Sequence, residues 1–367
     1  MSLQNMSTSE FWRGRRVFLS GHTGFKGAWL ALWLAGMGAR VTGYALPAPT
    51  SPSLYELAGI ERHLERSIVG DINDANRLAG ALAAAEPEIV FHLAAQPLVK
   101  ESYRQPAATF ATNVMGTVNL LEAVRATPSV RAALVVTTDK CYLNREWVWG
   151  YRETDPLGGH DPYSASKAAA EIVAASYRAS FFETGADVAL VTARAGNVIG
   201  GGDFAPDRLL PDVVRAIEHN ATLEIRYPDA VRPWQYVLEP LRGYLDLAQR
   251  AYAREAGIAD AWNFGPSETG ARTVRDVVQR FVDVCAEQRP AVVQFGATQP
   301  HRHEANLLRL DISKARAQLG WHPCLGFDET LALTADWYRA WLAKDDLKVF
   351  TERQLERYLD TVSNFSI

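Results

Sequence analysis

The strongest constraint on the fold is a repeating alternation along the chain. Short apolar runs rich in β-branched residues recur: "RVFLS" at 16–20, "ARVTGYA" at 39–45, "SIVG" at 67–70, "EIVFHLA" at 88–94, "AALVVTT" at 132–138 and "DVALVTARAG" at 187–196. Between them lie longer amphipathic stretches at 26–38, 73–85, 105–126 and 163–184. The short runs read as buried strands and the long stretches as helices. Strands joined by helices of this length pair in parallel through right-handed crossovers. The pattern therefore predicts a doubly wound, parallel α/β sheet. At 367 residues, 48% of them hydrophobic, the chain has enough apolar material to cover both faces.

After "ARAGNVIGGGDF" (193–204) the rhythm changes to loops with Pro, Gly and Arg. A long helix over 238–256, a short strand in "AWNFG" (261–265) and further helices follow. This predicts a parallel sheet domain over 12–196, with 233–266 returning to it. A smaller, discontinuous C-terminal region would be built from 197–232 and 267–345, and 346–367 would form a terminal helix or tail. Residues 1–11 lack the basic start and apolar run of a signal peptide and read as a disordered tail. The richest apolar stretch, "AWLALWLAGMGA" (28–39), is too short to span a bilayer.

Composition excludes several classes of function. The 38 basic and 42 acidic residues give a net charge of −4, with no basic tract to track a phosphate backbone, so nucleic acid is not the expected partner. A membrane is not expected either. Cys141, Cys285 and Cys324 are too widely spaced for a disulfide framework or a C-x-x-C metal site, and no metal is expected. A reducing, cytoplasmic setting follows as the default.

"VFLSGHTGFKGAWLALWL" puts Gly21, Gly24 and Gly27 directly after the first strand and at the opening of the first helix. Glycines there allow a tight turn, let a pyrophosphate approach the helix N-terminus, and let helix and strand pack closely. The intervening His22, Thr23, Phe25 and Lys26 fall beside that phosphate. Lys26 either adds charge near it or is a solvated first-turn lysine. About twenty residues on, where a Rossmann sheet commonly offers an acid to a ribose, stands Tyr44, which leaves NAD against NADP undecided. Asp71 either lies at the adenine or caps the following helix.

Tyr163 and Lys167 in "DPYSASKAAAE" have the i, i+4 spacing that sets two side chains on one helix face. A phenol is a poor base at neutral pH until a neighbouring ammonium favours its phenolate. Thr138, at the end of the preceding strand, is placed to orient a substrate hydroxyl that Tyr163 deprotonates. The next two residues of "VTTDKCY" are Asp139 and Lys140, an acid and a base where oxidation of an alcohol needs neither. A dehydration does need both: once C4 of a hexose is a ketone, a base removes the C5 proton while an acid protonates the C6 hydroxyl. Asp139 fits the acid and Lys140 the base.

With these motifs in order, and "HLAAQ" (92–96) and "TNVMGTVNLLEA" (112–123) between them, the chain resembles the extended short-chain dehydrogenase/reductase family, nucleotide-sugar branch. Within it the chain is similar to the CDP-glucose 4,6-dehydratases. The dTDP-glucose enzymes carry Asp-Glu where this sequence has Asp139-Lys140. Further matches are "YALPAPTSPSLYELAGI" (44–60), "ARAGNVIGGGDFAPDRLLPD" (193–212) and "RPWQYVLEPLRGYL" (232–245), and the likeness runs from about 12 to 345.

The resemblance implies dehydration of CDP-D-glucose to CDP-4-keto-6-deoxy-D-glucose, with retained NAD, as a step of deoxysugar and O-antigen lipopolysaccharide synthesis. It implies NAD contacts at Asp71, Ile72, Leu93, Ala94 and Ala95, with Lys167 also on the nicotinamide ribose. It implies substrate contacts at Asn197, Arg208 and Arg232, with His303 near the nucleotide. Arg208 and Arg232 could otherwise be surface charges. Tyr236 and Asn306 depart from the family pattern, where histidines are usual, as does the basic pair His22 and Lys26, where the branch more often has small and apolar residues. Long apolar helices at 105–126 and 163–184 suit a homodimer or homotetramer through a helix-bundle contact. The competing readings are an epimerase or dehydratase for another nucleotide sugar, and a dinucleotide-binding scaffold without catalysis, which would have no use for the four polar groups together.

Overall fold

The structure, a computed structural model, describes residues 9–183, 187–225, 227–267, 271–285, 292–296 and 307–365. Seven strands form one sheet: β1 (Arg16–Ser20), β2 (Arg40–Ala45), β3 (Arg66–Val69), β4 (Ile89–His92), β5 (Ala132–Val136), β6 (Ala189–Ala195) and, later in the chain, β10 (Ala261–Phe264). Their order is β10-β6-β5-β4-β1-β2-β3, with every pairing parallel. The doubly wound parallel sheet expected from the alternation is therefore present. Central strands β4, β5 and β6 are buried along their whole length, which is why they read as continuous apolar runs.

Side chains alternate between two cores. Val17 and Leu19, Ile89 and Phe91, and Leu134 and Val136 face one of them; Phe18, Val90, Ala133 and Val135 face the other. The first core also receives α1 (Phe25–Gly36), whose residues from Gly27 to Leu34 are all buried. A helix apolar on every side is interior, and this one lies between the sheet and the C-terminal helices, with Trp29 Nε1 donating to the Gly201 carbonyl at 3.0 Å. The second core receives α2 (Ala75–Ala85), α3 and α4. Helix α3 runs from Pro106–Phe110 through a wide turn at Ala111–Met115 into Gly116–Arg125, and α4 (Pro162–Tyr177) is prolonged by Arg178–Phe182.

The remaining elements follow β6 in the chain. They are β7 (Asn197–Ile199), α5 (Leu209–His219), β8 (Thr222–Ile225), β9 (Val231–Tyr236), α6 (Leu238–Ala253), β11 (Ala271–Thr273), α7 (Val274–Cys285), β12 (Val292–Phe295), α8 (Phe327–Ala343) and α9 (Leu347–Phe365). Strands β11, β9 and β7 form a small mixed sheet, and β12 pairs with β8. Strand β9 thus pairs outside the main sheet. Strand β10 joins the main sheet beside β6, and helix α6 packs on β5 and β6.

One terminal expectation needs correction. Residues 9–12 are helical rather than part of a disordered tail, because Trp12 is fully buried, edge-on to Phe11 and 6.1 Å from the Phe91 ring. At the other end, of the two forms expected, the helix is present: α9 buries Leu355 and Tyr358 in the core and is tied to the segment after β2 through Arg62–Glu352. Among the described residues no helix is long and apolar enough to cross a membrane.

Candidate active site

In the main sheet the strand order reverses between β1 and β4, and in such folds ligands bind at the carboxyl ends beside that reversal. A cleft of about 1140 Å³ opens there. It is lined by the turns after β1 (Gly21, Thr23 to Gly27), β4 (Leu93 to Ala95), β5 (Thr137 to Lys140) and β6 (Gly196 and Asn197).

At the cofactor end the glycine turn leaves no room for side chains. Gly21 has φ +82, and a Cβ there would stand 2.6 Å from the Ala94 amide nitrogen. A Cβ on Gly27 would stand 2.0 Å from the Gly21 carbonyl oxygen. The first turns after β1 and β4 are therefore in backbone contact, and the N-terminus of α1 opens into the cleft. This cradle fits a dinucleotide pyrophosphate. Asp71 and Ile72 line the cleft as expected, and Ile72 packs on Gly116. Asp71 does not cap α2; its carboxylate accepts from the Asn73 amide at 2.9 Å, and Asp74 is the cap. Tyr44 lies beneath, donating its hydroxyl proton to the Asp71 carbonyl.

His22 is the exception in this group. Its imidazole turns away from the cleft into the space under Tyr55, with Nε2 bonded to Ser67 Oγ at 2.9 Å. Burial lowers its pKa to about 4, so it brings no positive charge to the phosphate, and only its backbone belongs to the turn. Lys26 is not a solvated first-turn lysine. Its Nζ donates to Tyr244 Oη at 3.1 Å, and burial, reinforced by Arg208 and Lys167, lowers its pKa to about 7 against the pull of Asp139. It belongs to the reactive end of the cleft.

That reactive end begins where β5 stops. Thr138 caps a single turn over Asp139–Cys141 and accepts weakly from the Lys140 amide at 3.4 Å. Its hydroxyl donates to Asp139 Oδ1 at 3.0 Å, and Lys140 Nζ lies 3.5 Å from the same oxygen. Asp139 is buried, with Gly196 leaving it space; Lys140 is about a third exposed. Helix α4 starts on time because Asp161 caps it, accepting from the Ser164 amide at 2.9 Å, with Pro162 in its first turn. This sets Tyr163 beside the turn after β5, where the Thr138 hydroxyl acts to favour its phenolate.

Tyr163 and Lys167 share a face of α4 as the spacing required, but they do not pair directly. Lys167 Nζ donates to the Val136 carbonyl at 3.1 Å, and burial lowers its pKa to about 8. Burial, with the charge of Asp139, raises the Tyr163 phenol to about 12, opposed by the Thr138 hydroxyl and by the positive charge of Arg208. In this state the phenolate is favoured by Arg208 and Thr138 rather than by Lys167.

Asn197, Arg208 and Arg232 all line the cleft. Arg208 is not a free surface charge: it is bonded to Asp203 at 2.8 Å and reaches towards Tyr163. His303 and Asn306 fall outside the described residues. Tyr236 is fully buried against Tyr358, 6.0 Å between ring centres, and does not line the cleft.

Three features escaped the sequence reading. Glu171, one turn beyond Lys167 on α4, is a buried carboxylate that accepts from Arg194 and Thr192 at 2.8 Å and from Thr137. The spacing Y-x-x-x-K-x-x-x-E carries that signal. Arg194 continues to Tyr142 Oη at 2.7 Å, fixing the floor under the catalytic turn. Lys100 pairs with Asp207 across the mouth of the cleft, joining residues 107 apart with no local signature.

Residues 18–334 match the model of the GDP-mannose 4,6 dehydratase family. The chain belongs to this family, a class of NAD-dependent enzymes on nucleotide sugars to which the cleft and its polar groups conform. More narrowly, it is 49% identical over 362 residues to a CDP-glucose 4,6-dehydratase of Salmonella typhimurium, covering 98% of this chain and 100% of the relative. A dTDP-glucose 4,6-dehydratase of Xanthomonas campestris is 29% identical, covering 87% of this chain and 92% of the relative. The solved DesIV dTDP-glucose 4,6-dehydratase of Streptomyces venezuelae, with NAD bound, has the same fold, with a TM-score of 0.74 at 24% identity over 90% of this chain and 98% of that one.

Proposed function

We propose that the protein is a hydro-lyase that converts CDP-D-glucose to CDP-4-keto-6-deoxy-D-glucose. The observation that carries this reading is the juxtaposition of Asp139 and Lys140, 3.5 Å apart, beside Thr138 and Tyr163 in one cleft. Tyr163 takes the proton of the sugar 4-hydroxyl, which Thr138 orients. Lys140 removes the C5 proton made acidic by the C4 ketone, and Asp139 protonates the departing C6 hydroxyl. Lys140 then returns its proton to C5. Bound NAD supplies the acceptor and donor for the hydride that leaves C4 and returns to C6, and the residues fit it at the glycine turn, Asp71, Ile72 and Leu93 to Ala95.

The 49% identity supports cytidine as the nucleoside, and Asn197, Arg208 and Arg232 are the proposed contacts to the nucleotide diphosphate, the arginines as charge-matched donors. Release of Arg208 from Asp203 accompanies that contact. The proposed division places the cofactor lobe over 12–196 together with α6 and β10, and the substrate lobe over the segments that close the cleft. The setting is proposed to be cytoplasmic, in deoxysugar synthesis for O-antigen.

A second copy of the chain is the proposed partner. Phe110 and Met115 on α3, and Ile172 and Phe181 on α4 and its extension, are exposed apolar residues on neighbouring helices, as a four-helix contact requires. Light scattering showing only a 40.5 kDa particle would sink it. The function is tested by incubating the protein, with and without NAD, with CDP-glucose, dTDP-glucose, UDP-glucose and GDP-mannose, following product mass. Loss of one water from CDP-glucose alone is expected. Loss from another sugar nucleotide keeps the chemistry and rejects the substrate.

A further inference from the structure

Glu171 has no step in the dehydration just proposed, the reading on which this inference rests. Its two carboxylate oxygens serve two neighbouring strands. Oε1 accepts from the Thr137 hydroxyl at the end of β5. Oε2 accepts from Thr192 Oγ1 and from Arg194 Nη2 on β6, each at 2.8 Å. Three donors on one carboxylate fix its orientation. Arg194 carries the connection onward: Nη1 donates to Tyr142 Oη at 2.7 Å, and that hydroxyl donates to Asn263 Oδ1 at 2.7 Å.

The two residues held in this way, Thr137 and Tyr142, bracket the catalytic turn. Between them lie Thr138, Asp139, Lys140 and Cys141. The bonds inside the turn are long: the Cys141 amide donates to the Thr138 carbonyl at 3.3 Å and the Lys140 amide to Thr138 Oγ1 at 3.4 Å, both beyond the ordinary range. A turn with such weak internal bonds takes its position from its ends.

Glu171 also belongs to the helix that carries the oxidising groups. Tyr163, Lys167 and Glu171 follow one another at intervals of four on one face of α4. Lys167 Nζ donates to the Val136 carbonyl at 3.1 Å, so α4 grips the end of β5 at two successive residues, Val136 through Lys167 and Thr137 through Glu171. Tyr163, the base for oxidation at C4, sits on the helix. Asp139 and Lys140, the groups for elimination, sit on the turn just beyond that grip.

We propose that Glu171 is a positioning residue that keeps the elimination groups in register with the oxidation groups, holding the turn directly at Thr137 and, through Arg194, at Tyr142. The Glu171 and Arg194 side chains are 2% and 4% exposed, and an ion pair so dry adds little net stability over apolar packing. What it adds here is direction, since each partner reaches one end of the turn. When the hold is loosened, Tyr163 keeps its own place on α4, and oxidation at C4 is the less affected half. The ketone then waits for Asp139 and Lys140.

Two substitutions of the same shape separate position from stability. Thr137→Val and Thr192→Val each take one hydroxyl from Glu171, but only Thr137 leads into the turn. With NAD-loaded protein and CDP-glucose, Thr137→Val is expected to lower kcat by on the order of 10–10²-fold at unchanged KM. Absorbance of reduced nicotinamide is expected to build up during its turnover, with NAD content by native mass spectrometry unchanged. Thr192→Val is expected to lose as much stability in a urea titration and to keep the wild-type kcat. Thr137→Ser, which retains the hydroxyl, is expected to behave as wild type. Tyr142→Phe loosens the other end of the turn and is expected to show the same build-up, so it decides the matter if Thr137→Val does not fold. Equal loss of kcat in the two valine variants, no loss in Thr137→Val, or a loss without reduced nicotinamide overturns the proposal, as does Tyr142→Phe without the build-up. Wild type that releases no water from CDP-glucose rejects the underlying function instead.

Discussion

The two ends of the cleft are built from different materials. At the cofactor end, shape comes from backbone: Gly21 and Gly27 allow contacts that no side chain tolerates, and the walls are Ile72, Leu93, Ala94 and Ala95. At the reactive end, shape comes from charged side chains on separate segments, with Lys26, Asp139, Lys140, Lys167 and Arg208 converging. A backbone site is fixed by sterics and fails abruptly when crowded. A charged site is fixed by its counter-ions, and it fails by degrees as each is removed.

Gly27→Ala is the harshest way to test that contrast. Its Cβ would meet the Gly21 carbonyl at 2.0 Å and the His22 Cα at 2.9 Å, backbone atoms with nothing flexible to yield. NAD retained on purification, measured by native mass spectrometry, is expected to vanish; normal NAD content would break the comparison. At the other end, Asp139→Asn keeps shape and removes the acid. Dehydration is expected to fall by on the order of 10²–10⁴-fold, while absorbance near that of reduced nicotinamide builds up when CDP-glucose is added. Unchanged turnover would remove Asp139 from the mechanism.

Next in size comes the floor beneath the reactive end. Glu171→Leu leaves Arg194 buried without its carboxylate, and stability is expected to drop by about 3–5 kcal/mol in a urea titration. A loss within error would mean that the pair does not hold the catalytic turn. A pH series sharpens the same point. Burial lowers His22 to about 4 and His92 to about 3, both below the ordinary imidazole value, so the folded state binds fewer protons than the unfolded chain. Their contribution is complete above pH 6.5 and is lost as pH falls towards 4, at about 1.4 kcal/mol per pH unit for each group. His92→Asn, which keeps a polar partner for Ser20 at the head of the glycine turn, is expected to flatten this slope by about half. The smallest effect belongs to Lys100→Ala at the mouth, a one-third-exposed pair worth about 1 kcal/mol or less. KM for CDP-glucose is expected to change by no more than about fivefold.

The same division explains what could be read in the sequence. The glycine turn, the strand runs and the Tyr163–Lys167 spacing are local patterns whose meaning depends on neighbours a few residues away. They appear in the structure where the pattern put them. His22 was misread because a basic side chain in a phosphate-binding turn looks like a ligand, while the space under Tyr55 that takes its ring is created by residues 67 and 55. Lys26 was left open because its partner, Tyr244, is 218 residues distant. The Lys100–Asp207 pair and the pairing of β9 outside the main sheet are likewise long-range outcomes. Only Glu171 was both local and overlooked.

One feature near the reactive end also bears on how such a protein can vary. Beyond the catalytic turn the chain makes an excursion over 143–157, held by a column of rings: Tyr142 on Tyr151 at 5.3 Å, Tyr151 on Trp147 at 5.7 Å, and Trp147 beside Trp149 at 5.4 Å. Its base is the Arg194 guanidinium, 4.9 Å from the Tyr142 ring, and its tip, Val148 and Trp149, stands in solvent. Substitutions at the tip can accumulate without shifting Asp139, while a change at the base moves both together. The excursion is thus a peninsula, free to drift at its point and inherited whole at its root.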